Sequence, residues 1–144
     1  MKIVLSVKSS KSNSGTMSFS YTVKTRKSIA EVIEELPKHL QKIGFGVLGS
    51  LNFQKILTDK GVEFQKPYQL LEVCNPKLAK QVLELNPDLG LLLPCTIAVY
   101  KKNNGNYISL AKPSALLEMA SEDNLKFMGE ELEKNLVTVI DKVK

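Results

Sequence analysis

The chain has 144 residues, 43% hydrophobic and 24% charged, the balance of one globular domain and too short for two ordinary ones. No apolar run approaches the ~20 residues of a membrane span, and a chain of this size buries about 70% of its unfolded surface without a disulfide or metal staple. The formal charge is +5, yet Arg26 is the only arginine and the lysines are scattered, which argues against a nucleic-acid partner.

The N-terminal stretch MKIVLSVKSS turns polar at once and lacks the apolar core and cleavage site of a leader. With two cysteines and no leader, the expected location is the reducing cytoplasm, with no membrane association. Residues 2–8 are a short β-prone run and residues 9–16 a polar loop. Residues 1–16 therefore read as either an N-terminal extension or an extra strand, ahead of a single α+β domain over residues 17–144.

Phe19, Tyr21 and Val23 alternate with polar residues, the pattern of a half-buried strand. Ser28 and Glu31 form a capping box ahead of a helix whose stripe is Ile29, Val32, Ile33, Leu36, Leu40 and Ile43, with Gly44 as its stop. Pro37 lies inside that pattern and should kink or split the helix. A strand follows over residues 45–53, with Phe45, Val47, Leu51 and Phe53 on one face and Leu48, Ser50 and Asn52 on the other; Gly49 marks a bulge or close packing. A short helix or turn over residues 54–60 ends at Gly61.

The next strand is predicted from Tyr68 to Cys74, then Asn75 and Pro76 start a helix that ends at Asn86 and Pro87. Leu91 to Tyr100 reads as one long apolar strand, and the turn at residues 103–106 returns Tyr107 to Ala111 as its hairpin partner. Pro113 opens a short helix, and Ser121 caps a last, long one striped by Leu125, Met128, Leu132, Leu136, Val139 and Val143. Hairpin relations without regular βαβ alternation predict an α+β fold, an antiparallel sheet with helices on one face.

Three motifs stand in register: Gly44-Phe45-Gly46-Val47-Leu48, Cys74-Asn75-Pro76, and Gly90-Leu91-Leu92-Leu93-Pro94-Cys95. Over roughly residues 18–143 the chain thereby resembles the domain-of-unknown-function 302 family. The resemblance implies a strongly curved antiparallel sheet packed on helices, like half of the TATA-binding protein, and a homodimer. It implies no activity. The family usually carries two acidic residues after the first motif; Ser50 and Asn52 stand there in this chain, so a metal or base role for those carboxylates does not transfer.

Cys74 and Cys95 are the candidate thiols. Cys74 immediately precedes a helix N-cap, where partial positive charge can favour thiolate, whereas a buried cysteine is an inert filler. Antiparallel neighbouring strands would put both cysteines at one end of the sheet, with alternation turning them to opposite faces. Two cysteines and the lone His39 do not make a zinc site, so no metal and no cofactor is expected. Nucleophile-elbow, phosphate-loop and dinucleotide signatures are absent.

Alternation gathers Leu48, Ser50, Asn52, Leu70, Glu72, Thr96, Ala98, Tyr100, Tyr107 and Ser109 on the second face of the sheet. That mixture suits an interface or a ligand-lined concavity better than plain solvation. Three functions remain open on these residues. One is a non-catalytic module that binds a small or apolar ligand or a partner on the concave face. The others are thiol redox or sulfur transfer at Cys74 with Cys95, and a dimeric interaction protein without ligand.

Overall fold

The computed structural model describes residues 19–120 and 123–144. The expected strand or extension within residues 1–16 and the cap at Ser121 lie outside the described residues.

Among the described residues five strands form one open sheet: β1 (Ser20–Thr25), β2 (Gly46–Asn52), β3 (Tyr68–Cys74), β4 (Cys95–Lys102) and β5 (Gly105–Ala111). Their order is β1-β5-β4-β3-β2 and all neighbours are antiparallel, which is the expected α+β architecture. Five α-helices join them: α1 (Ile29–Gln41), α2 (Phe53–Asp59), α3 (Pro76–Leu85), α4 (Pro113–Leu117) and α5 (Asp123–Val143).

Directly paired residues of antiparallel strands share a face. Leu71, Ile97 and Leu110 pair in one row, and Val99 and Ile108 in the next. All five are buried, packed with Val32, Leu36 and Leu40 of α1 and with Leu136, Val139 and Ile140 of α5. Each such side chain contributes roughly 1.5–3 kcal/mol by leaving water. A second, smaller cluster joins Val82 of α3, Leu117 of α4 and Leu125 of α5.

Local chemistry sets the helix ends. The Ser28 hydroxyl accepts from the Glu31 amide at 3.1 Å, and the Glu31 carboxylate accepts from the Ser28 amide at 2.8 Å. The Asn75 side chain accepts from the Leu78 amide, with Pro76 at the first helical position. Of the kink or split expected at Pro37, the split does not occur: α1 is one helix, with Leu36 and Leu40 buried on either side of the proline. Packing there outweighs the one hydrogen bond that proline removes.

The long strand expected from Leu91 is also shorter. Pro87–Leu92 is a 3₁₀ helix, started by Pro87 and by an Asn86 side chain that accepts from the Asp88 amide, and β4 begins only at Cys95. The hairpin turn between β4 and β5 is made by two residues, Asn103 and Asn104, with Asn103 at φ 56°.

Two packing features are open to direct test. A Cβ on Gly129 of α5 would stand 3.2 Å from the Pro113 carbonyl oxygen and the Ser114 Cα of α4. Gly129→Val therefore prises α4 from α5 and should cost roughly 1–3 kcal/mol in urea denaturation. Tyr21 Oη donates to Asp141 Oδ1 at 2.7 Å, which pushes the phenol up to about 12. Because the folded value is raised, the stabilisation is fully present below pH 10 and is lost as pH rises from 10 towards 12. The stability gap between wild type and Tyr21→Phe should be about 1 kcal/mol at neutral pH. It should close above pH 10, and a gap constant through pH 12 would refute the bond's role.

Candidate functional site

The helices leave one face of the sheet largely uncovered, and its side chains form three rows across the strands. In the first row Lys24, Tyr107, Tyr100 and Tyr68 pair directly in turn from β1 to β3. Tyr68 and Tyr100 stack at 5.3 Å between ring centroids, and Tyr100 and Tyr107 at 5.8 Å. Phe53, at the start of α2, closes the row edge-to-face against Tyr68 at 6.2 Å. At the other end Lys102 Nζ lies 5.9 Å from the centroid of the Tyr107 ring. Burial, then the neighbouring phenols Tyr68 and Tyr107, push the Tyr100 hydroxyl up, while the Thr22 hydroxyl works the other way.

The second row runs Thr22, Ser109, Ala98, Leu70 and Leu51. Thr22 and Ser109 share a hydroxyl–hydroxyl bond of 2.7 Å. The third holds Gly49, Glu72 and Thr96, and the Thr96 hydroxyl donates to Glu72 at 3.4 Å.

Of the residues predicted for this face, Leu70, Glu72, Thr96, Ala98, Tyr100, Tyr107 and Ser109 are on it. Ser50 and Asn52 are not. A bulge at Leu48 shifts the register between Val47 and Gly49, so Ser50 pairs with Leu71 and Asn52 with Gln69, both on the helix-covered side. The same shift brings Leu51 to the uncovered face, opposite Leu70, and leaves Leu48 unpaired and 67% exposed. Asn52 has a local task there: its side chain accepts from the Lys55 amide and caps α2. Tyr68, Thr22, Lys24 and Lys102 were missed, although strict alternation from Leu70, Tyr107 and Tyr100 points to each of them.

The cysteines lie at the far end of the same strands. Val73 pairs with Cys95, so both thiols stand at one end of the sheet as expected. They border a cleft of about 30 Å³ between the two hydrophobic clusters, walled by Phe45, Leu78, Val82, Leu93 and Leu117. That is room for a water or two, and no charged side chain lines it. Both cysteines are free thiols. Burial pushes the Cys74 thiol up, and burial with the neighbouring Cys74 pushes Cys95 up to about 11. Desolvation thus runs against the thiolate expected beside a helix start. Among the described residues no cluster of three or more histidine, cysteine or carboxylate side chains is placed to hold a metal.

Residues 21–143 match the family described as Domain of unknown function DUF302. The chain belongs to this family. Three solved chains match it in structure. One is the crystal structure of an uncharacterized conserved DUF302 protein from Bacillus stearothermophilus, with a TM-score of 0.83 and 37% identity over 88% of this chain and 98% of that one. The comparison with curated proteins finds no match. No helix among the described residues of this DUF302 domain is long and apolar enough to cross a membrane.

The thiols give a clear expectation. Alkylation by iodoacetamide should be slow at pH 7 and rise only above pH ~8.5, the value of an ordinary thiol, with Cys74 faster than the more buried Cys95. Fast modification of Cys74 at pH 7 would restore the reactive-thiol reading.

Proposed function

We propose that this DUF302 domain is a non-catalytic binding module that holds an apolar ligand or a partner against the uncovered face of its sheet. The observation that carries the reading is the row Phe53–Tyr68–Tyr100–Tyr107, three stacked phenols and an edge-on ring on a face that the long helices do not cover. Aromatic side chains give large contact area at small conformational cost, and a face meant only for water would carry more charge. The working unit is residues 17–144. A second copy of the chain is the other occupant such a face suits, since a two-fold interface presents one patch to itself.

Thiol chemistry at Cys74 is the second reading. It is favoured by the position of Cys74 beside the α3 cap and at the cleft, and opposed by the burial that raises both thiols.

Native mass spectrometry and thermal denaturation of wild type and Tyr100→Ser test the first reading. Wild type should carry a bound molecule, form a dimer, or gain several degrees in Tm with a member of an apolar ligand panel, and Tyr100→Ser should lose that behaviour. A bare wild-type monomer with no shift across the panel would overturn it.

A further inference from the structure

This inference rests on the binding reading of the uncovered face and names the ligand class. Along the first two rows of that face the side chains change from cationic and hydroxyl-bearing at β1 to apolar at β2. Towards β1 stand Lys24 and the paired hydroxyls of Thr22 and Ser109, and Lys102, at the hairpin end of the central strand β4, lays its ammonium over Tyr107 of β5. At the β2 side stand Leu51, Leu70 and Phe53, with Leu51 39% exposed.

The two lysines are held at one corner. Lys24 pairs with Tyr107, and its Cε lies only 2.7 Å from where a Cβ on Gly105 would stand, so its stem crosses that glycine. Gly105 in turn pairs with Lys102, whose ammonium lies over the Tyr107 ring. Neither lysine makes an ion pair among the described residues. The acidic residue on these three rows is Glu72, in the row farthest from the lysines. An unpaired cationic corner therefore adjoins an apolar strip across the sheet.

The rings themselves narrow the choice of ligand. Their planes lie within 15° and 21° of one another, so the tyrosines occupy each other's faces and Lys102 caps the last one. No open ring face remains within the row to sandwich a nucleobase, the contact on which single-strand binding depends. Ring edges and the half-buried Leu70 beside them remain, with the buried Ala98 flooring the row between Leu70 and Ser109, a narrow surface suited to a slim chain. From β1 to β2 the strip crosses four interstrand steps, about 19 Å.

We propose that the uncovered face binds a free single-chain anionic amphiphile. Its carboxylate sits at Lys24 and Lys102, and its alkyl chain runs beside the tyrosine row towards Leu70 and Leu51.

Dodecanoate below its micellar concentration, followed by calorimetry and tyrosine emission, tests this. The chain has no tryptophan and four tyrosines, so emission reports largely on the row. Dodecanoate should bind and change the emission, and dodecyltrimethylammonium should bind about tenfold more weakly or worse, the scale of one to two kcal/mol of charge contact. Lys24→Glu with Lys102→Glu should invert that preference, and Leu51→Asp should weaken both ligands; all three positions are exposed, so the fold tolerates the changes. Equal affinity for the two head groups, or dodecanoate binding untouched by the lysine pair, overturns the anionic class while the face remains a binding surface. Binding untouched by Leu51→Asp and Tyr100→Ser places the chain elsewhere and overturns the proposal. Failure of both amphiphiles to bind overturns it too, leaving the wider reading to its own thermal-shift test.

Discussion

A strand turns successive side chains to opposite sides, so whatever fixes one face of a sheet fixes the other. Here the fixed face is the one under α1 and α5, where Leu71, Val73, Ile97, Val99, Ile108 and Leu110 are buried. Slipping β4 by one residue would put Ile97 and Val99 in water and bring Tyr100 and Thr96 inward, at a cost of several kcal/mol for the apolar surface alone. The uncovered face is thus held in register by a core on its other side. The row of phenols depends on that register: Tyr68, Tyr100 and Tyr107 meet because Leu71, Ile97 and Leu110 do.

Much of this was legible in the sequence because it is written locally. The Ser28–Glu31 box, the Asn75–Pro76 start and the period-two pattern of residues 68–74 each depend on a few neighbouring residues, and each sits where expected. The bulge at Leu48 is different. It is a mismatch of count between two strands, set by how β2 lies against β3, and Gly49 hinted at its presence without saying which residues would change face. That is why Ser50 and Asn52 were misplaced and Leu51 was expected in the core. The 3₁₀ helix at Pro87–Leu92 escaped for another reason: a run of leucines fits a strand or a buried turn equally well, and Gly90 and the flanking prolines decided it. The phenol row was half visible, since alternation sets Tyr68 with Leu70, but the stacking of side chains from three strands needs the pairing order.

The cysteines show how a correct local reading can mislead about chemistry. Cys74 does precede a helix cap, and such ends do favour anions. The wall around it, however, is built from Phe45, Leu78 and Val82, contributed by two separate parts of the chain, the residue before β2 and the helix α3. An anion in an apolar wall loses hydration, and that burial pushes the Cys74 thiol up. At Cys95 the neighbouring Cys74 adds to the larger effect of burial, because one thiolate disfavours a second. The pair is better suited to filling the seam between two hydrophobic clusters than to exchanging electrons.

The seam and the phenol row share β3 and β4 but lie at opposite ends of them. Five residues lie between Tyr68 and Cys74 in β3, about 20 Å along the strand. Between the two lie buried pairs of the sheet, Leu71 with Ile97 and Ile97 with Leu110. A close-packed core of that kind resists small displacements and does not deform in proportion to them. Under the proposed binding reading, an occupant beside the phenols would change their environment and leave the thiols, at the other end of the strands, in theirs. This independence separates the two functional readings: tyrosine emission answers to one surface, thiol reactivity to the other.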